Sequence, residues 1–461
     1  MTPGTIPPAG PAGRVSFLNH SCLLVESPQV RMLCDPWFEG SAFNDGWRLL
    51  AEQSHRLDEI ACDYIWLSHE HPDHFSIPTL RRLDSPRRFI YQKTRDNKVR
   101  QYLLDRGHSC IELDEATPHA FGDITKTIYV SDGYDSASVI EFPDGSTFLN
   151  ANDARLELGG NIERIRSRHP RIDLLAAQFS YANWAGNEGD ETTPFDQQQL
   201  VIERLKTYIQ AFQPKKVILF ASFVYYSHEE NFYWNRHWLP RVLEALQEHA
   251  DRIIVPRPDQ VFDLADLAGQ DFTEENRRSV AFWEQAAAGI QAVDRSNRNI
   301  GLDDIRQAYR DFFEETWSEN AMSTALTEQN RDFSLVVRLP DLARSLRLYL
   351  FQERLEVLPA EAAPDHDIQV TAETLCFLLR NKFGRGTLSI NSRIQFNYPS
   401  AHRFFIFFFI PYANNIGRYF REGRLDAAQL ESIARTSVMM SILKASPAAV
   451  SNLAADLRTF A

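Results

Sequence analysis

The sequence predicts a layered α/β fold over residues 14–265, followed by a helical connector at 266–330 and a C-terminal α/β domain at 331–461. Two observations lead to this prediction. β-rich runs such as Val217–Phe223 and Ile253–Val255 alternate with helical stretches such as 196–213, and this alternation is typical of α/β layers. The chain has 461 residues, of which 44% are hydrophobic and 24% charged, so it is long enough for two or three domains with full cores.

The elements follow in chain order. Residues 1–13 are rich in Pro and Gly and lack the apolar core of a signal peptide, so we expect a disordered lead-in. Residues 14–40 predict two short strands joined by a Ser-Pro turn, and the apolar run "YIWLS" predicts another strand. The polar stretch at 266–330 predicts helices, and residues 365–396 predict strand, helix, turn and strand in the C-terminal domain.

Charge and cysteine content exclude several classes of protein. The formal net charge of -13 argues against a nucleic-acid or anionic-membrane partner. The longest apolar run, Phe404 to Ile410, is too short to cross a bilayer. The five cysteines contain no CxxC pair, which argues for a reducing compartment and against a disulfide framework. We therefore expect a cytoplasmic protein without a membrane span, and a homodimer stays open as its assembly.

The segment after the "YIWLS" strand concentrates metal-binding side chains. It reads "HEHPDH" and contains His69, His71, Asp73 and His74. Because these residues follow a strand in a loop, their side chains can converge instead of alternating across a sheet. Imidazoles and carboxylates bind Zn, Fe or Mn. We expect His69 and His71 to bind one metal ion, and Asp73 and His74 to bind a second one nearby.

This H-x-H-x-D-H pattern resembles the metal loop of the metallo-β-lactamase fold superfamily, which implies an αββα sandwich. The resemblance implies Asp35 as the partner that orients a ligand histidine, Asp153 as the bridging carboxylate and His228 as the last ligand of the second metal. The third ligand of the first metal is either His119 or Asp132. Asp132 is preferred because it ends a strand-like run, whereas His119 lies in an apparent surface turn.

A closer resemblance links the chain to the catalytic region of the CMP-N-acetylneuraminate hydroxylase family. It rests on the segments "LSHEHPDHFSIPTL", "SDGYDSASVIEFPDGSTFLNANDA", "FASFVYYSHEENFYWN" and "VPRPDQVFDLADL", and more loosely on "FGRGTLSINSRIQFNYP". That family also carries a Rieske domain, whose cluster needs two Cys and two His ligands, and this sequence has no such pairs. The resemblance implies the metal site and a two-part architecture, but it does not carry over the nucleotide-sugar substrate.

Two reaction classes fit these predictions. The first is a non-haem diiron oxygenase that oxidises a small organic molecule with O₂ and takes electrons from an external ferredoxin or reductase; a carboxylate at Asp132 would suit iron. The alternative is a Zn- or Mn-dependent hydrolase of the lactonase or phosphodiesterase type. In either class we expect Asp73 and His228 to act at the reacting centre. Trp37 and Tyr226 would form a pocket wall, and Arg257 would clamp an anionic substrate group.

Overall fold

The computed structural model describes residues 13–131, 135–293, 299–321, 324–359, 366–420 and 436–460. The chain divides into two compact units. The first comprises the described residues up to Tyr181 together with Asp196–Ser227 and Asn235–Gln291. The second comprises Ala182–Phe195, His228–Trp234 and the described residues from Ala292 onward.

The first unit contains sixteen strands, most of them in two large sheets. They are β1 Arg14–Asn19, β2 Cys22–Glu26, β3 Arg31–Cys34, β4 Trp47–Leu49, β5 Tyr64–Trp66, β6 Arg88–Gln92, β7 Ser109–Leu113, β8 His119–Phe121, β9 Ile124–Ser131, β10 Asp135–Glu141, β11 Thr147–Asn152, β12 Leu174–Gln178, β13 Lys216–Phe220, β14 Val224–Tyr226, β15 Ile253–Ile254 and β16 Gln260–Asp263. The first sheet has the order β16-β1-β2-β3-β5-β6-β7 and the second the order β15-β13-β12-β11-β10-β9-β8. A separate pair joins β14 to β4.

Helices along this part of the chain connect the strands. The α-helices are Ile77–Leu80, Lys98–Leu104, Asn161–Arg168, Thr192–Phe212, Leu239–Ala245 and Thr273–Ala288, and short 3-10 helices are found at Leu57–Glu59, Gln247–His249 and Leu267–Gly269. Parallel pairing of β3 with β5 and of β5 with β6 places the carboxyl ends of these strands at one edge of the first sheet. The metal loop begins at that edge.

The side chains of β1 and β2 show how the two sheets pack. Phe17 and Leu23 lie in a core that also contains Ile128 and Leu149 of the second sheet, whereas Leu18 and Leu24 face a separate cluster of buried residues. Successive side chains of a strand point to opposite faces, so both faces of the first sheet are covered. The prediction of a metallo-β-lactamase-type α/β sandwich is confirmed.

Two local predictions need correction. Residues 14–40 form three strands rather than two, because the Ser-Pro turn is followed by β3 and a further hairpin turn separates β1 from β2. Val217–Phe223 is not one strand. β13 ends at Phe220, Ala221 adopts a left-handed φ of 51°, and β14 then pairs with β4. The turn at Ala221 redirects the chain, since its amide donates to His20 O at 2.8 Å instead of continuing the ladder.

The second unit is built around a five-stranded sheet with the order β19-β18-β17-β20-β21. Its strands are β17 Ser334–Leu339, β18 Arg344–Tyr349, β19 Leu355–Leu358, β20 Ile368–Gln369 and β21 Gln395–Phe396. Its helices are Leu302–Glu319, Thr324–Gln329, Ala372–Arg380, Gly384–Asn391, His402–Phe407, Phe409–Asn415, Ser437–Ala445 and Pro447–Phe460, with a 3-10 turn at Phe232–Trp234.

The phenylalanine-rich run of the second unit belongs to its core. Phe404 to Ile410 lies on two consecutive short helices and is buried with Leu335 and Leu375. The predicted connector at 266–330 contains two long helices, of which the first contributes Trp283 to the core of the first unit and the second contributes Tyr309 to the core of the second unit. Among the described residues, every helix is too short or too polar to cross a membrane.

Candidate metal centre

The metal loop leaves β5 at the edge of the first sheet and turns back on itself at once. His71 O accepts hydrogen bonds from the amides of His74 (2.9 Å) and Phe75 (2.7 Å). The helix Ile77–Leu80 then begins, with Ser76 as its N-cap. Backbone hydrogen bonds therefore fold the loop tightly enough for side chains two to five positions apart to meet.

The first cluster consists of His69, His71 and Asp153, each of which offers one ligand atom within 4.8 Å of the others. His69 Nε2 lies 2.9 Å from His71 Nδ1 and 3.6 Å from Asp153 Oδ2. Asp153 comes directly after β11, and the side chain of Asn152 accepts a hydrogen bond from its amide at 2.7 Å. The structure thus brings together three residues that the sequence analysis assigned to the metal centre.

The second cluster consists of His20, Asp73 and His74, all of them buried. Asp73 Oδ2 lies 3.3 Å from His20 Nε2 and 3.5 Å from His74 Nε2. His74 Nε2 is also 3.8 Å from Asp153 Oδ2, the same oxygen that approaches His69 in the first cluster. One carboxylate oxygen is therefore close to an imidazole nitrogen of each cluster, as a bridging ligand requires.

Asp35 orients one histidine of each cluster, His74 directly and His69 through Ser68. Its carboxylate accepts from Ser68 N at 2.7 Å and from Ser68 Oγ at 2.7 Å, and it lies 3.0 Å from His74 Nδ1. Ser68 Oγ is in turn 2.9 Å from His69 Nδ1. With Nδ1 engaged in this way, His69 and His74 both present Nε2 to their clusters. The predicted role of Asp35 in orienting a ligand is thus compatible with its contacts.

Charge and burial act against each other in the clusters. Burial lowers the pKa of His74, but the carboxylates of Asp73, Asp153 and Asp35 outweigh it and raise that pKa to about 10. Burial raises the pKa of Asp73, whereas His74 and His20 hold it well below its usual range. For His69, burial dominates and lowers the pKa. The carboxylates of Asp73 and Asp153 are thus ionised and His69 is a neutral imidazole, as metal ligands need to be, whereas His74 has to lose a proton when it binds a metal ion.

The donor set fits metal ions. Asp73 Oδ1 and Asp153 Oδ1 are buried and have no hydrogen-bond partner among the described residues. An ionised oxygen left in this state is costly unless a cation compensates it. Imidazole nitrogens and carboxylate oxygens are the ligands of Zn, Fe and Mn, so the two clusters suit a pair of such ions.

The third ligand of the first metal was predicted as Asp132 or His119. Asp132 lies outside the described residues. His119 is not in a surface turn, since it begins β8, which pairs with β9, and it belongs to neither cluster. A residue that the sequence analysis missed lies near the first cluster, since Asp135 Oδ1 is 3.9 Å from His69 Nε2. The available signal was the second aspartate of "SDGYDS", at the start of β10.

The other predicted site residues have diverse surroundings. His228 belongs to the second unit, where its Nδ1 lies 3.5 Å from Glu230 Oε2. Trp37 is buried with its ring edge-on to His20 at 5.6 Å, and Tyr226 in β14 packs against Trp47. Arg257 lies between β15 and β16, and its buried Nε has no hydrogen-bond partner among the described residues.

Comparisons with known proteins extend these observations. Residues 14–150 match the model of a family described as Beta-lactamase superfamily domain. The cytidine monophosphate-N-acetylneuraminic acid hydroxylase of Pongo pygmaeus is 27% identical over 279 residues, which are 55% of this chain and 46% of that protein. The chain thus spans about half the length of the curated relatives it matches. The resemblance found in the sequence is confirmed by these matches.

Two solved structures are also similar. CmlA, a diiron beta-hydroxylase from Streptomyces venezuelae, has a TM-score of 0.41 and 13% identity, covering 56% of this chain and 55% of that chain. An isothiocyanate hydrolase from Delia radicum gut bacteria has a TM-score of 0.41 and 14% identity, covering 54% of this chain and 98% of that chain.

Proposed function

We propose that the chain is a non-haem diiron oxygenase that oxidises a small organic substrate with O₂. His69 and His71 would hold one ion, Asp73 and His74 the other, and Asp153 would bridge them. The observation that carries the proposal is the composition of the clusters. Each contains two imidazoles and one carboxylate, and Asp153 Oδ2 lies within 3.6 Å and 3.8 Å of a nitrogen in each. Two histidines and one carboxylate with open positions form the donor set of non-haem Fe(II) oxygenases.

A carboxylate as the third ligand of the first metal supports iron over zinc. Asp132 remains the prediction from the sequence, and Asp135 is the described alternative, with its Oδ1 3.9 Å from His69 Nε2. Either residue would supply an anionic oxygen instead of a neutral nitrogen. The added negative charge stabilises oxidised iron and makes a zinc-bound water less acidic, so it favours oxidation over hydrolysis.

The protein's own contribution is orientation and exclusion of water. Asp35 and Ser68 fix the ring orientations of His69 and His74 by the hydrogen bonds described above. The rings of Trp37 and Phe43 pack edge-on against His20 and His71, so apolar groups border both clusters. When bound, the irons would supply the electron transfer to O₂ that amino-acid side chains cannot provide.

The proposed oxygenase needs electrons from outside this sequence, because its five cysteines are free and include no CxxC pair that could hold a redox cluster. A ferredoxin or a reductase is the proposed partner. The runner-up function is a Zn- or Mn-dependent hydrolase of the lactonase or phosphodiesterase type, since the same imidazoles and carboxylates also bind zinc.

The test compares iron-loaded and zinc-loaded forms of one preparation. Metal-free protein is loaded with Fe(II) without oxygen, reduced, desalted and mixed with O₂ while O₂ uptake is recorded. The zinc form is assayed with a lactone and a phosphodiester. His71→Ala is the site variant, and His108→Ala, which removes a histidine outside both clusters, is the matched control.

The proposal predicts two irons per chain, O₂ uptake by wild type and by His108→Ala, and little uptake by His71→Ala. Slow hydrolysis by the zinc form would agree with it. Rapid turnover of the lactone or phosphodiester by the zinc form, with O₂ left untouched by the reduced iron form, would instead establish the hydrolase.

A further inference from the structure

We infer that His20 is a protein ligand of the second metal ion, together with Asp73 and His74. This inference rests on the two-metal centre of the proposed function, but it does not depend on whether the metal is iron. His20 lies in the turn between β1 and β2, 53 residues before Asp73 and outside the histidine-rich metal loop. The structure brings it into the centre of the second cluster.

The distances suit a shared metal ion better than a direct hydrogen bond. Two atoms bound tetrahedrally to one ion at about 2.0–2.1 Å are about 3.3–3.4 Å apart. Asp73 Oδ2 lies 3.3 Å from His20 Nε2 and 3.5 Å from His74 Nε2, close to this value on both sides. A charge-assisted N–H···O bond would be about 2.7–2.9 Å. The Nε2 atoms of His20 and His74 are therefore as far from Asp73 Oδ2 as two ligand atoms of one metal ion are from each other.

The backbone holds His20 in place from several directions. Its φ of 39° is left-handed, which is uncommon for residues other than glycine. Its amide donates to Asn19 Oδ1 at 2.9 Å, and its carbonyl accepts from Ala221 N at 2.8 Å. Asn19 is itself fixed by a bond from its Nδ2 to Ala51 O at 2.9 Å. A position that needs this much support is typical of functional sites.

The tip of the β1–β2 hairpin also contacts the metal loop through the next residue. Ser21 Oγ donates to the backbone carbonyl of Asp73 at 3.2 Å. The hairpin thus touches Asp73 at both its main chain and its side chain, and the position of His20 relative to Asp73 is set by the first sheet. A ligand delivered in this way is pre-organised before the metal arrives.

His20 also completes the chemistry of the second cluster. Asp73, His74 and the shared Asp153 would give the second ion only one imidazole. With His20 the second ion has two imidazoles, as the first ion has in His69 and His71, in addition to the carboxylates of Asp73 and the shared Asp153. This is the role that the sequence analysis gave to His228, so the two residues are rival candidates for one position.

The number of metal ions bound per chain distinguishes His20 from His228 as the ligand of the second ion. Metal-free protein is loaded with Co(II) or Fe(II) alone, passed over a desalting column and analysed for metal per chain. The variants are His20→Ala, His20→Asn and His228→Ala. Asn tolerates the left-handed backbone and can still donate a hydrogen bond to Asp73, so His20→Asn removes the imidazole alone. His169→Asn is the matched control, because His169 is buried and bonded to Tyr129 away from both clusters.

We expect two ions per chain in wild type, His169→Asn and His228→Ala, and one ion in both His20 variants. The affinity for the second ion should fall by more than about 100-fold, since loss of a supporting residue behind a ligand already costs 10–100-fold.

Two ions in His20→Ala would overturn the inference. So would two ions in His20→Asn alone, which would assign His20 to a hydrogen bond. Should His20→Ala fail to fold, as judged by circular dichroism, His20→Asn decides. Fewer than two ions in wild type would refute the two-metal centre itself, whereas two ions per chain without O₂ uptake by the reduced iron form would refute only the oxygenase.

Discussion

Lys126 offers a test of the core that is independent of the metal centre. It lies on β9, is fully buried between the two sheets, and its Nζ has no hydrogen-bond partner among the described residues. Its ammonium rests 3.4 Å from the ring centroid of Trp66. Burial lowers the pKa of Lys126 from 10.5 to about 7, against the opposing pull of Cys34 and Asp35. We predict that Lys126→Met, which keeps the volume and removes the amine, stabilises the protein.

The magnitude follows from the two pKa values. Each unit of difference is worth about 1.36 kcal/mol, so holding this lysine charged in the folded state at pH 7 costs on the order of 4 kcal/mol. The cation–π interaction of Lys126 with Trp66 offsets about 1–2 kcal/mol of this cost. The net gain for Lys126→Met at pH 7 is therefore about 2–3 kcal/mol. The folded pKa lies below the unfolded one, so between pH 7 and 10.5 the unfolded chain binds more protons and wild-type stability rises with pH.

The assay is urea unfolding of wild type and variant at pH 7 and near pH 10, both in chelator, with the free energy of unfolding compared at each pH. The advantage of Lys126→Met should be largest at pH 7 and should nearly vanish near pH 10. Lys93→Met removes an exposed lysine and should stay within about 0.5 kcal/mol of wild type at pH 7. The reasoning is refuted if Lys126→Met is no more stable than wild type at pH 7, or if the difference does not change with pH.

Three further predictions concern the contacts that hold the sites. Asp35→Asn should weaken metal binding by about 10–100-fold in a chelator competition without unfolding the protein, and an unchanged affinity would contradict its supporting role. His71→Ala should lower the metal-to-protein ratio while the circular dichroism spectrum is preserved, and a wild-type ratio would remove His71 from the centre. Arg393→Met should destabilise the second unit by about 1.5–3 kcal/mol in urea, because it removes a buried guanidinium that pairs with the half-buried carboxylate of Glu230 at 2.5 Å. The double variant with Glu230→Gln should recover much of that loss, and a single-variant effect below about 0.5 kcal/mol would show that the pair contributes little.

The parts of the centre that the sequence predicted are those encoded locally. His69, His71, Asp73 and His74 lie within six positions and directly follow an apolar strand, so a loop cluster could be inferred from spacing alone. Asp153 could be placed because it directly follows a strand, although its role as a bridge between the metal ions was predicted only from the resemblance to a known fold. Local periodicity also predicted the alternation of strands and helices in the first unit.

The remaining parts depend on long-range pairing, which spacing does not encode. His20 meets Asp73 across 53 positions because the strand order β1-β2-β3-β5 brings the β1–β2 hairpin and the loop after β5 into the same sheet. The segment "TPHAFGDI" around His119 was interpreted as a surface turn, but the turn is made by Gly122, with a φ of 56°, and His119 lies in β8. Asp135 was missed because the sequence analysis weighed only His119 and Asp132 for this position, and the start of β10 at Asp135 was not predicted.

Asp35 explains why the two clusters should respond as one centre. It follows β3 and is fully buried, its amide donates to Trp66 O at 2.9 Å, and its φ of 44° turns the chain out of the sheet. From there one carboxylate engages His74 directly and His69 through Ser68. Parallel pairing of β3 with β5 fixes the height of Asp35 relative to both histidines, and a slip of one residue would turn its side chain to the other face. The orientation of a ligand in each cluster therefore depends on a single strand pairing. A change that loosens this pairing should weaken both metal ions together, whereas a change at His71 or His20 should act first on its own ion.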